Sequence, residues 1–293
     1  MKLCFNEATT LKNSTLEQDL VLCEKAGFDY IEIWICQLEK YLQHNKLDDL
    51  ISFFAKSTIK PFALDSFEDI LFCTDTEYAK LRSRVMCACL WAKMIGCDRM
   101  VMVPTVCEGI HSKYTKEQIT EESVRVLSDL AQIAAAYDVK LAFEPIGFEA
   151  CAVRSISHAW EIVKKVDLYN VGLTLDVFND YLYNALEDMD DIAQIPGEKI
   201  FIYHIDDAPV KPLNEYKLDH SDRVLPGNGE LPCTDMTRMV KETGYNSAIS
   251  VELFNEKLYG DTAENVIGQA YNAVQAHVAA ANIEKEIDFP SNT

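Results

Sequence analysis

The sequence predicts a single-domain (β/α)8 TIM barrel with its chemistry at the C-terminal ends of the strands. Eight short apolar runs alternate with eight helical stretches in strict order along 293 residues. Such alternation implies parallel strands joined by crossover helices. Eight units of this kind close a barrel, and the length suits one. The rival architecture is an open doubly wound sheet. Against it, the first run is followed by NEATT and not by a G-x-G-x-x-G turn.

Residues 2–6 form the first strand. Ser14-Thr-Leu-Glu17 reads as a capping box opening a helix with Leu16, Leu20 and Cys23 on one face, and Gly27 ends it. Residues 30–34 alternate as strand two, 47–56 form a helix, and 61–65 are strand three. Thr74-x-x-Glu77 opens a long helix closed by Gly96, and strand four is RMVMVP, 99–104. Thr115-x-x-Gln118 caps a helix reaching about residue 137. Strand 139–144, helix 155–165, strand 171–176, helix 184–194 and strand 199–204 follow. A loop of Pro, Gly and charged residues spans about 206–231; within it RVLPGNGELP could close over a ligand. Helix 234–243, strand 247–252 and a helix from 261 to about 281 complete the alternation. The barrel is assigned to residues 1–282, and the tail 283–293 is expected to fray.

In a barrel the reacting groups sit just past the strands. Asn6 and Glu7 follow strand one, Trp34 strand two and Asp65 strand three. Glu144, Asp176, His204 and Glu252 follow strands five to eight. A lone Glu or His at a strand end is usually a solvated loop residue. Four on consecutive strands, each directly after an apolar run, point to one cleft. Carboxylates gathered in a buried cleft repel one another and need a cation to coexist. Three carboxylates and one imidazole suit one divalent metal ion, Mn²⁺, Zn²⁺, Co²⁺ or Mg²⁺, in preference to Ca²⁺. Such an ion can hold two adjacent oxygens of a polyol ketone or ketose and stabilise an enediolate. Two carboxylates flanking the bound carbons can then pass a proton between them.

Composition narrows the field. A formal net charge of -20 argues against nucleic acid and anionic membranes as partners. No stretch approaches the roughly 18 apolar residues of a membrane span. MKLCFNEATTL lacks the apolar core of a secretory signal. The ten cysteines include no C-x-x-C pair, and the expected state is buried, reduced thiols in a cytoplasmic protein. Cys107 and Cys151 could line the cleft but lack a partner for thiol catalysis. His44, His111, His158, His220 and His277 read mostly as surface histidines. No H-E-x-x-H or G-x-S-x-G motif occurs. An oligomer is compatible with the helical faces.

MKLCFNEATTL, LCEKAGFDYIEI, KIFIYHIDD, DRVLPGNG and SVELF carry a resemblance over nearly the full length. The chain resembles the xylose-isomerase-like superfamily of sugar isomerases and epimerases, and within it members acting on ketones of the inositol ring. The resemblance implies a mononuclear metal held by Glu144, Asp176, His204 and Glu252. It implies that Glu144 and Glu252 double as the acid/base pair. The implied reaction moves a keto group to the neighbouring ring carbon through a cis-enediol, in inositol catabolism. A ketose 3-epimerase, or a sugar-binding barrel without activity, are the alternatives. One departure stands out. The superfamily often carries Asp-x-x-His after strand six, whereas Asp176-Val-Phe-Asn179 has Asn. Trp34, Asp65, Asn179 and Arg223 are the expected substrate contacts.

Overall fold

A computed structural model describes residues 1–187 and 189–282. Eight parallel strands close a barrel in chain order. They are β1 Lys2–Asn6, β2 Tyr30–Trp34, β3 Lys60–Phe67, β4 Arg99–Met102, β5 Lys140–Phe143, β6 Val171–Asp176, β7 Ile200–Ile205 and β8 Ala248–Val251. Closure comes from β1 pairing with β8, Lys2 to Phe5 against Ala248 to Val251. Parallel strands covered on both faces are near-continuous apolar runs, which is why these segments stand out in the sequence.

Around the barrel lie α1 Leu16–Ala26, α2 Ile35–Leu42, α3 Leu47–Lys56, α4 Asp75–Ile95, α5 Ile110–Lys113 and α6 Lys116–Ala135. They continue as α7 Ile156–Val166, α8 Val177–Asn184, α9 Cys233–Glu242, α10 Glu256–Tyr259 and α11 Ala263–Ala280. The boxes Thr74/Glu77 and Thr115/Gln118 cap α4 and α6 reciprocally. Gly27 and Gly96 end α1 and α4 with φ of 100° and 83°, a left-handed backbone that glycine adopts without penalty. The first cap sits one residue later than expected: the Thr15 hydroxyl, not that of Ser14, accepts from the Gln18 N–H.

The helix expected at 184–194 is not formed. Asp176 caps α8 directly at the end of β6, accepting from the Asn179 N–H at 2.6 Å. The helix therefore starts seven residues earlier, and Ala185 and Leu186, with φ of 58° and 62°, turn the chain away. A 3-10 segment, Met189–Gln194, follows. α2 carries no start signal in the sequence: it begins at once after β2 behind Trp34, whose side chain makes no capping hydrogen bond.

Two histidines expected at the surface are buried: His158 is 9% and His277 7% exposed. Their Nε2 atoms meet the hydroxyls of Thr120 at 2.9 Å and Thr237 at 2.8 Å. Burial pushes both imidazoles down to about 4. All ten cysteines are free; six are buried, and Cys87 is exposed. No helix among the described residues is long and apolar enough to cross a membrane. The tail 283–293 lies outside the described residues.

Candidate metal centre

Strand register gathers the four residues. Asp176 pairs with His204 across β6–β7, and His204 with Ser250 across β7–β8. Glu144 and Glu252 come one residue past β5 and β8. All four are buried, none more than 4% exposed. His204 Nδ1 lies 3.3 Å from Glu252 Oε2, 3.6 Å from Glu144 Oε1 and 3.8 Å from Asp176 Oδ2. One donor atom from each residue falls within 4.8 Å of all the others. A tetrahedral ion with bonds of about 2.0–2.1 Å needs donors spaced about 3.3–3.5 Å apart. His204 Nδ1 makes no hydrogen bond, and Asp176 Oδ2 makes none beyond its ion pair with Arg223. An unused lone pair in such a place costs about 1–3 kcal/mol, and a shared cation would engage both. The donor set therefore fits one divalent ion.

Glu32 was not singled out in the sequence, yet it completes this centre. It is fully buried in the middle of β2, and its carboxylate receives His204 Nε2 at 3.1 and 3.2 Å. The Ser250 hydroxyl donates to it at 2.6 Å. A carboxylate on the far nitrogen fixes the ring orientation and leaves Nδ1 as the ligand atom. A carboxylate inside a strand covered on both faces has no solvated side to turn to and must find its partners within the barrel. Glu32→Gln is expected to weaken divalent-metal affinity by about 10–100-fold while the fold persists. Competition with a chromophoric chelator reads this, and an unchanged affinity would remove Glu32 from the centre.

The centre holds its charges unevenly. Burial pushes Glu144 up to about 7, with His204 pulling the other way. Burial also raises Asp176, against the pull of Arg223. For Glu252 burial is outweighed by His204 and Arg223, and its carboxyl stays well below the usual range. Burial opposes the charged form of His204, but Glu252 and Glu32 together raise it well above an ordinary histidine.

Arg223 is 1% exposed. Its Nη1 meets Glu252 Oε2 at 2.7 Å and Asp176 Oδ2 at 3.3 Å, and its Nε meets Asp206 Oδ2 at 2.9 Å. Its Nη2 donates to His220 Nδ1 at 2.9 Å. Burial first, then the Arg223 charge, pushes His220 down to about 3. Asp206 and His220 were also passed over, because only the tertiary fold brings them to Arg223.

A cavity of about 260 Å³ opens on the centre. Trp34, Asp65, Asn179 and Arg223 line it with Glu144 and Glu252; Cys107 and Cys151 do not. A larger groove of about 480 Å³ between α6 and α7 holds none of these groups. Asn6 Nδ2 donates to Asp65 Oδ2 at 2.8 Å and to Glu252 Oε1 at 3.2 Å. Glu7 accepts from the Trp34 N–H at 2.9 Å. Asn179 Nδ2 donates to Glu144 Oε1 at 3.0 Å, and its Oδ1 is buried without a partner. The glycine-rich loop is pinned rather than free to close. Asp207 accepts from the N–H groups of Gly227, Gly229 and Leu231 at 3.0–3.1 Å. A Cβ on Gly229 would come within 2.3 Å of Asp207 Oδ1, so only glycine fits that approach.

A family model described as xylose isomerase-like TIM barrel matches residues 20–277. The chain belongs to the xylose isomerase-like TIM barrel family. Among its relatives, an inosose isomerase of Bacillus velezensis is 39% identical over 280 residues, covering 95% of this chain and 98% of the relative. One from Bacillus subtilis is 41% identical over 271 residues, covering 92% and 95%. A 1.8 Å crystal structure of an IOLI protein with a bound zinc atom superposes with a TM-score of 0.90 at 39% identity, covering 96% of this chain and 99% of that one. These xylose isomerase-like relatives support a divalent metal in the cluster described above.

Proposed function

We propose that this protein is a metal-dependent isomerase that moves a keto group between adjacent carbons of an inosose, 2-keto-myo-inositol, through a cis-enediol. The observation that carries the reading is the buried set Glu144, Asp176, His204 and Glu252, converging on orphaned donor atoms in a chain similar to inosose isomerases end to end. These four residues would hold the ion. When bound, it supplies Lewis acidity toward a ketone oxygen and its neighbouring hydroxyl. Glu252, ion-paired with Arg223, takes the proton from the hydroxyl-bearing carbon. That proton passes to Glu144, held by Asn179, which delivers it to the former carbonyl carbon while the neighbouring hydroxyl proton moves to the former carbonyl oxygen, so both carboxylates end as they began. Trp34, Asp65, Asn179 and Arg223 border the substrate. Arg223 acts mainly as the counter-charge, since its donors are taken up by carboxylates and His220. Ten free cysteines suit the reducing cytoplasm in which inositol catabolism would run.

Purified protein loaded in turn with Mn²⁺, Zn²⁺, Co²⁺ and Mg²⁺ is expected to interconvert inososes, followed by proton NMR. Rapid interconversion of ketohexoses with inososes untouched would replace this reading with a ketose 3-epimerase.

A further inference from the structure

We propose that His220 is a specificity-determining residue, donating a hydrogen bond from Nε2–H to a ring oxygen of the substrate. The inference deepens the reading above and rests on it. His220 borders the same cavity as Glu144, Glu252 and Asn179. Its neighbours decide which nitrogen carries the proton. Arg223 Nη2 is a permanent donor with no acceptor capacity, and it points at Nδ1 at 2.9 Å. Nδ1 must therefore accept, and the neutral ring carries its hydrogen on Nε2. That atom makes no hydrogen bond to any described residue, while Arg223 fixes the opposite side of the ring.

Packing holds the ring in place. Phe148 meets it edge-on at 5.2 Å and 76°, with Phe254 at 5.7 Å and Phe178 at 6.0 Å. A donor held by three aromatic rings and a buried guanidinium loses little freedom on binding. Asn179 Oδ1, the unpartnered acceptor in the same cavity, complements it. One fixed donor and one fixed acceptor read hydroxyls of a cyclic polyol ketone beyond those nearest the metal. A site built to hydrogen-bond a hydroxyl rejects an analogue lacking it far better than an apolar wall does.

Two substitutions divide the ring's functions. In His220→Asn the amide oxygen can replace Nδ1 as the acceptor for Arg223, and no group replaces Nε2–H. In His220→Gln the longer amide can place an N–H where Nε2–H was. On metal-loaded protein, His220→Asn is expected to raise KM for the inosose about tenfold or more, with kcat within about threefold. His220→Gln should recover most of that loss. A panel of monodeoxy inososes sharpens the test. For one analogue, wild type should lose as much as His220→Asn does, and the two should then be indistinguishable. Unchanged KM in His220→Asn, or an equal loss with every analogue, would overturn the proposal. Calorimetric binding of a panel of non-reacting cyclitols to the metal-loaded proteins separates the two readings. Absent inosose turnover, with tighter cyclitol binding by wild type than by His220→Asn, would sink the isomerase reading and keep His220 as a polyol donor. Equal binding by the two proteins, or no binding by either, would sink the role of His220.

Discussion

Glu144→Gln is expected to lower kcat by about 100- to 10,000-fold, the range a positioned acid or base contributes. The amide keeps an oxygen for the metal and keeps shape, so the variant should fold and bind a divalent ion. It cannot take up and release the proton that must reach the former carbonyl carbon. The measurement is kcat on the inosose alongside metal content by equilibrium dialysis. Turnover within tenfold of wild type, at equal metal content, would show that Glu144 is a ligand alone. A barrel that only binds sugars would have no turnover to lose.

Arg223→Met should produce the largest effect on stability. The guanidinium faces Asp176, Asp206 and Glu252 from a position only 1% exposed. Methionine fills much of the space and supplies no charge. Removing one partner of a buried ion pair costs about 3–5 kcal/mol, because the remaining charge is left uncompensated. At roughly 2–4 °C per kcal/mol for a chain of this size, the metal-free Tm should fall by about 6–20 °C. Added divalent metal should narrow the gap, since the ion replaces part of the lost positive charge. An unchanged metal-free Tm would mean that Asp176 and Asp206 are protonated and never needed the arginine.

What the sequence disclosed follows from how far each signal reaches. The strands were legible because burial on both faces makes each a short apolar run, and the residue after it becomes conspicuous. That is how Glu144, Asp176, His204 and Glu252 were found. Helix starts were legible where a side chain does the capping, as at Thr74 and Thr115. They were lost where it does not, as at α2, and displaced where a site residue took over the capping, as Asp176 does for α8. Glu32 was hidden by the alternation of β2, which reads as a half-solvated strand when the neighbours are unknown. His220 and Asp206 were hidden differently. Each is held by Arg223, and nothing local to either residue announces that contact. His158 and His277 were read as surface residues because their threonine partners lie 38 and 40 positions away.

The stretch from His204 to Asp207 shows how tightly these parts are coupled in sequence. His204 turns toward the carboxylates, Ile205 is buried in the core, Asp206 meets Arg223, and Asp207 gathers the glycine loop. In an extended chain successive side chains face opposite ways, so metal holding and loop tethering occupy opposite phases of one segment. A point substitution here removes one task and leaves the rest. Deleting or inserting a single residue between them would break that relation: with the imidazole kept inward, the loop's anchor would turn inward too. Length in this segment is therefore under a stricter constraint than identity. Homologous chains that keep both the metal and the glycine loop should show no insertions or deletions across these four positions.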